Sequence, residues 1–213
     1  MQTIRVFLPK QPKEELIDGY GLDPKEQMWR PPQIPLRLQQ LQRTSKTLDD
    51  IQNKLYRNQK EYAQEIAWIK REWDRRLNGY WLFINGKATY MDGWHYFYCG
   101  YWNLDIGLPE YRYRDYLFFH FARFCYTDTK LPDGTDMERR LCYGFNYPKH
   151  RREGATYKAE CINYEIVSRT RSVHGGIQSM DGDSAKDAFL DKLVNPWQKL
   201  PFFFKPKYTG STA

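Results

Sequence analysis

Half of the chain's aromatic rings fall in less than a quarter of its length: 18 of the 36 Phe, Trp and Tyr residues lie between positions 80 and 126. A segment so dense in rings has two uses for them. It can bury them in a core beneath a small sheet and a helix, or expose them as a stacking platform for single-stranded nucleic acid. A platform needs cations alongside the rings to hold phosphates. Residues 81–140 carry seven basic and eight acidic side chains, whereas residues 1–80 carry 15 and 11, and residues 141–213 carry 11 and 7. The ring-rich segment is therefore close to neutral, and its rings are expected to build core.

The rest of the composition narrows the class. The 213 residues suffice for one sizeable domain, or for a domain with an extension. A formal charge of +7 suits a polyanionic partner without identifying one. Mean hydropathy is −0.82, and no uncharged apolar run approaches the ~18 residues of a membrane-spanning helix, so no membrane partner is expected. The four cysteines, at 99, 125, 142 and 161, include no Cys-x-x-Cys pair, which argues against a disulfide framework or an ordinary zinc module.

Along the chain, three segments are expected: residues 1–78, a Pro-rich arm and long amphipathic helix; 79–138, the aromatic segment; and 139–213, an α/β unit. Six of the twelve prolines, at 9, 12, 24, 31, 32 and 35, suggest an extended arm with little independent structure. Thr47 with Asp50 forms a capping-box pattern. Leu48, Ile51, Leu55, Tyr62, Ile66, Ile69, Trp73 and Leu77 then place one apolar stripe on a helix of about thirty residues, which Asn78-Gly79 can end in a left-handed cap. Asn85-Gly86 between residues 80–84 and 87–90 predicts a tight hairpin. Residues 96–102 are expected to continue a sheet and residues 111–126 to form a helix. Beyond residue 139 the pattern reads strand (141–147), basic turn, helix (155–171), strand (173–180) and helix (184–200), the start of an α/β fold.

The basic turn carries the most chemistry. It reads Lys149-His150-Arg151-Arg152-Glu153-Gly154-Ala155-Thr156, between an expected strand and an expected helix. A Walker A loop, GxxxxGK[ST], wraps backbone N–H groups and a helix N-terminus around phosphates. On that template Gly154 takes the second glycine and Thr156 the Mg²⁺-binding hydroxyl. Lys149 stands in place of the first glycine, and Ala155 in place of the lysine. A long ammonium side chain can reach the same phosphates from the start of the loop, and Arg152 adds a forked cation. The plain alternative is a basic turn that caps a helix.

With Lys149, Arg152, Gly154 and Thr156 in this register, the chain resembles the N-terminal part of the large terminase subunit of tailed bacteriophages, the ATPase and nuclease that packages DNA into proheads. Gly176-Ile-Gln-Ser179, Ala185, Ala188-Phe189 and Lys199-Leu-Pro-Phe-Phe-Phe-Lys-Pro206 resemble the strand, helix and exit that follow the loop in that family. Asn85-Gly86, Tyr96-Phe97-Tyr98 and Pro109-Glu-Tyr-Arg112 with Asp115 resemble its lead-in. The resemblance spans about residues 75–210 and implies a P-loop ATPase fold. It implies ATP and Mg²⁺ as cofactors, with Lys149, Arg152, Glu153, Gly154, Ala155 and Thr156 at the phosphates and Thr156 reaching Mg²⁺. Arg112 and Arg114 fall near the family's adenine motif, although the glutamine usual there is missing. Double-stranded DNA, a portal protein and a small terminase subunit are the implied partners. A ring assembled on the prohead, in the host cytoplasm, is the implied setting.

A hydrolytic ATPase also needs an apolar strand ending in Asp-Glu. None follows Thr156, and the nuclease's acidic cluster is absent too, so the chain is expected to be a piece that stops before its catalytic acid. His95 with Cys99, and His120 with Cys125, have helical spacing but make no four-ligand zinc set. The acids at 181, 183 and 187 suit a helix N-terminus. Two other classes stay open: a non-catalytic nucleic-acid-binding or virion-associated protein, and a helicase-like P-loop ATPase.

Overall fold

The computed structural model describes residues 8–127, 144–149 and 153–206. Its helices are α1 Leu36–Thr44, α2 Leu48–Arg57, α3 Ala63–Asn78, α4 Gly93–Tyr101, α5 Tyr113–Thr127, α6 Ala155–Arg169, α7 Gly182–Phe189 and α8 Asn195–Lys199; its strands are β1 Tyr80–Ile84 and β2 Lys87–Met91. The fold is mostly helical, with one short antiparallel hairpin and clusters of aromatic rings. The chain divides into two compact units, one of Met1–Arg30, Arg76–Phe97 and Glu110–Glu153, the other of Pro31–Arg75, Tyr98–Pro109 and Gly154–Ala213.

The hairpin organises the first unit. Strands β1 and β2 pair from Tyr80↔Met91 to Ile84↔Lys87, and Asn85 (φ 50°) with Gly86 (φ 76°) supplies the two positive φ angles a tight primed turn requires. Gly79, at φ 68°, closes α3 as expected, and a Cβ there would collide with the Met91 carbonyl oxygen. The Pro-rich segment departs from expectation, since it is fastened to the hairpin. Ile17 is buried, and the Asp18 carbonyl accepts from Phe83 N at 2.8 Å. Gln27 holds the turn: its Nε2 donates to the Gly19 and Leu22 carbonyls at 3.2 and 2.9 Å, its Oε1 accepts from Gly86 N at 2.8 Å, and its own carbonyl accepts from Asn85 N at 3.1 Å.

Residues 96–102, expected as a strand, belong mainly to helix α4. The Asp92 carboxylate accepts from Trp94 N at 2.8 Å and so caps the helix. Trp94, Tyr96, Phe97, Tyr98 and Cys99 are all buried, so rings surround the helix on every side and no one-sided period betrays it. Helix α5 forms as expected, burying Phe119, Ala122 and Phe124. His95 stacks on Phe119, with centroids 5.3 Å apart and planes at 16°. The Arg76 guanidinium lies 4.2 Å from the Phe97 centroid, and that of Arg123 lies 4.8 Å from Trp94's.

In the second unit the Thr47 capping box forms, with Asp50 N donating to Thr47 Oγ1 and Thr47 N to Asp50 Oδ2, each at 3.1 Å. The single thirty-residue helix expected there is two, because α2 ends at Asn58. That side chain donates to the Lys54 carbonyl at 3.0 Å, a local bond that competes with helix continuation. Leu38, Leu41, Ile51 and Phe202 form a core flanked by Ile34, Leu48, Leu55, Trp68, Ile69 and Phe203. The Phe-rich exit locks into it: Phe203 meets Trp68 edge-on at 5.5 Å, Phe204 meets Tyr101 at 4.7 Å, and Tyr164 Oη donates to the Phe204 carbonyl at 2.8 Å. Glu72 is fully buried and accepts from Tyr101 Oη at 2.6 Å.

The expected α/β order is the larger correction. Helix α6 forms, but residues 144–147 of the strand before it are irregular, and residues 141–143 lie outside those described. Residues 173–180 lie in irregular backbone with no ladder partner among the described residues. Two glycines, 175 and 176, weaken strand propensity there, and a parallel strand forms only beside a neighbour. The final helical run appears as α7 and α8, joined by a π-helical turn, Leu190–Val194, in which Asn195 N donates to the Leu190 carbonyl. Pro196 lies just inside α8; its missing N–H and its ring crowd the turn before it, which widens. Among the described residues, no helix is long and apolar enough to cross a membrane.

Candidate functional site

The basic turn straddles the division between the units. Lys149 is exposed and belongs to the first unit; Gly154, Ala155 and Thr156 belong to the second; Arg152 lies outside the described residues. Gly154 is the N-cap of α6 and adopts φ 72°, ψ 20°, a left-handed conformation that favours glycine. With no side chain to bend back, it makes no side-chain cap to the first turn of α6, and the Thr156 side chain is exposed. Such a junction presents N–H groups and the positive end of a helix dipole to an anion.

Within the first unit the structure brings together two of the expected residues. Arg114, near the start of α5, pairs with Glu153 at 3.5 Å. The Glu153 carboxylate is thereby tied to a cation, which moderates the repulsion an acid in a phosphate loop would exert. Arg112 is exposed one residue before α5. Arg114 and Glu153 also border a cleft of about 370 Å³ whose other lining residues are Leu117, Phe118, Phe121, Phe145, Asn146, Tyr147 and Pro148. Phe118 meets Phe145 at 5.6 Å and Tyr147 at 4.9 Å, both near edge-on. The volume falls in the range that holds a small organic ligand, and the walls are rings with an exposed amide, Asn146, among them. Reading the sequence for phosphate chemistry misses this cleft. Its signal is the alternation Phe145-x-Tyr147 opposite Phe118-x-x-Phe121.

Two further clusters lie in the second unit. Tyr157 Oη donates to Asp105 Oδ2 at 2.5 Å and accepts from Lys192 Nζ at 2.9 Å; burial, then the Asp105 bond, push the phenol above its ordinary value. A phenol held more firmly protonated is a structural bolt, joining the 102–109 loop to α6 and the π-helical turn. A smaller cavity of about 240 Å³ is lined mainly by Val167, Ile177, Phe189 and Leu193. Among the described residues no three His, Cys, Asp or Glu side chains gather as a metal site. His95 and Cys99 are packed among rings in α4, while Asp181 caps α7 by accepting from Ser184 N at 2.7 Å.

Comparison of the chain with protein-family models, curated proteins and solved structures gives no match.

Proposed function

We propose that the chain supplies the nucleotide-binding loop of a DNA-packaging ATPase of the phage large-terminase type. The observation that carries this proposal is the left-handed Gly154 opening α6, which makes no side-chain cap of its own, two residues before the hydroxyl of Thr156 and five after the exposed ammonium of Lys149. A phosphate group fits that chemistry. Lys149 and Arg152 would hold its charge, the amides of residues 154–156 its oxygens, and Thr156 a bound Mg²⁺. Bound ATP would supply the phosphoanhydride whose cleavage drives translocation of double-stranded DNA. Portal protein, small terminase subunit and a ring on the prohead in the host cytoplasm complete this picture.

The cleft of the first unit is a separate support. Its ring walls and volume suit a purine, and Asn146 offers both a donor and an acceptor to a base edge.

Binding is the readout that isolates the loop. Titration of a fluorescent ATP analogue with Mg²⁺ should give saturable binding that Lys149→Ala and Thr156→Ala each weaken about tenfold or more. Equal binding by wild type and both variants, or none by the wild type, would overturn the proposal.

A further inference from the structure

Of the 18 rings in the aromatic segment eight are buried and three, Tyr113, Phe121 and Tyr126, are exposed, Tyr113 the most. Tyr113, Tyr116 and His120 recur at steps of three and four on α5 and therefore share a face. They form a continuous stack: Tyr113 on Tyr116 with centroids 5.6 Å apart and planes at 18°, and Tyr116 on His120 at 5.7 Å and 11°. Tyr113 ends the stack at the first residue of the helix and is 66% exposed. The core has no use for this ring.

Its sequence neighbours are both guanidinium groups. Arg112 is exposed and its side chain makes no hydrogen bond or ion pair among the described residues. The Arg114 side chain is 69% exposed and, among those residues, meets the 13% exposed Glu153 side chain at 3.5 Å through one terminal nitrogen; the rest of its fork of N–H donors is open to a phosphate. Asp115, the acid next in sequence, is buried. The balance of the whole segment is near neutral, yet at this point an exposed ring is flanked in sequence by two accessible cations.

We infer that Tyr113, with Arg112 and Arg114, forms a stacking site for single-stranded nucleic acid. An unpaired base laid on Tyr113 lengthens a stack already three rings deep, which holds the platform rigid before the base arrives. The two guanidinium groups take the phosphates on either side of that nucleotide. A duplex keeps its base faces covered and has nothing to offer Tyr113, so the ligand is a strand with unpaired bases. Arg114 is shared with the rim of the ring-lined cleft and touches Glu153 of the basic turn, but Tyr113 and Arg112 do not line that cleft, so the stacking site does not depend on the nucleotide proposal.

Fluorescence anisotropy of a labelled oligothymidine against the full chain tests it. Tyr113→Ala should weaken binding about tenfold, the usual loss for one base–ring stack, while Tyr113→Phe keeps wild-type affinity. Arg112→Gln should reduce the slope of log affinity against log salt by about 0.7, one phosphate contact on a single strand. Tyr113 is exposed, so its replacement leaves the fold intact, and circular dichroism of each variant verifies this. Unchanged binding by Tyr113→Ala, equal affinity for the matching duplex, or displacement of the oligonucleotide by equimolar ATP would overturn the inference, the last by assigning Tyr113 to a mononucleotide.

Discussion

Replacing Gly154 separates what the loop costs in stability from what it does for a ligand. At φ 72° an L-residue meets a strain of about 1–2 kcal/mol, because its Cβ crowds the following carbonyl. Alanine recovers part of this, ~0.4–1 kcal/mol, by narrowing the unfolded ensemble. Steric exclusion adds nothing, since the nearest atom to an added methyl is Tyr98 Oη at an ordinary 3.9 Å. Gly154→Ala should therefore destabilise by about 1 kcal/mol, and Gly154→Asn by less, because asparagine tolerates the left-handed region. Gly79 is the internal control. It has nearly the same φ, 68°, but its added Cβ would collide with the Met91 carbonyl oxygen and lie 2.6 Å from Tyr90 Oη. Relief would break the Tyr80↔Met91 pairing, so Gly79→Ala should cost about 3 kcal/mol or more. Urea unfolding followed by tryptophan fluorescence measures all three variants. Titration with the ATP analogue then asks whether Gly154→Asn, nearly native in stability, still binds. A neutral Gly154→Ala, or a Gly79→Ala no worse than Gly154→Ala, would refute the geometry on which the loop assignment stands.

Two other outcomes are expected. Gln27→Ala removes three side-chain hydrogen bonds, two that brace the N-terminal segment on the Gly19 and Leu22 carbonyls and one, from Gly86 N, that fastens it to the hairpin turn; at ~1 kcal/mol each, about 2–3 kcal/mol should be lost, with limited proteolysis shifting to residues 8–30. Burial raises the Glu160 carboxyl above its ordinary 4.5, with the Asn163 bond opposing. The native state then holds this proton more tightly than the unfolded chain, so stability falls as pH rises through the window above 4.5 and the penalty is complete beyond the folded value. Glu160→Gln should accordingly melt higher than wild type at pH 7, with the gap closing as pH drops below 4.5; a gap independent of pH would rule this out.

What can be read in advance depends on how local each signal is. The Thr47 capping box, the Asn85-Gly86 turn and the left-handed Gly79 need only their immediate neighbours, and all three occur as expected. Helix α4 escapes a sequence reading because apolar and aromatic side chains run almost unbroken from Trp94 to Trp102, and periodicity carries no information when no face is polar. Among the described residues neither expected strand around α6 forms, for a different reason. Residues 144–147 and 173–180 hold strand-forming side chains such as Phe145, Tyr147, Val173 and Ile177, but a strand is a property of a pair, and the described residues provide no partner. At the site, the sequence marks Gly154 as a loop glycine but not its left-handed backbone, since a residue in the N-cap position is ordinarily extended. The cleft is not legible, since Phe118 and Phe145 are brought together only by tertiary folding.

The irregular run from 173 to 180 has a bearing on colloidal behaviour. A strand-like segment whose N–H and C=O groups have no ladder is a template on which a second chain can nucleate an aggregate. This one carries its own protection: the paired glycines 175 and 176 resist a stiff, flat ribbon, while His174, Gln178 and Ser179 deny it the dry, interdigitated face that a fibril requires.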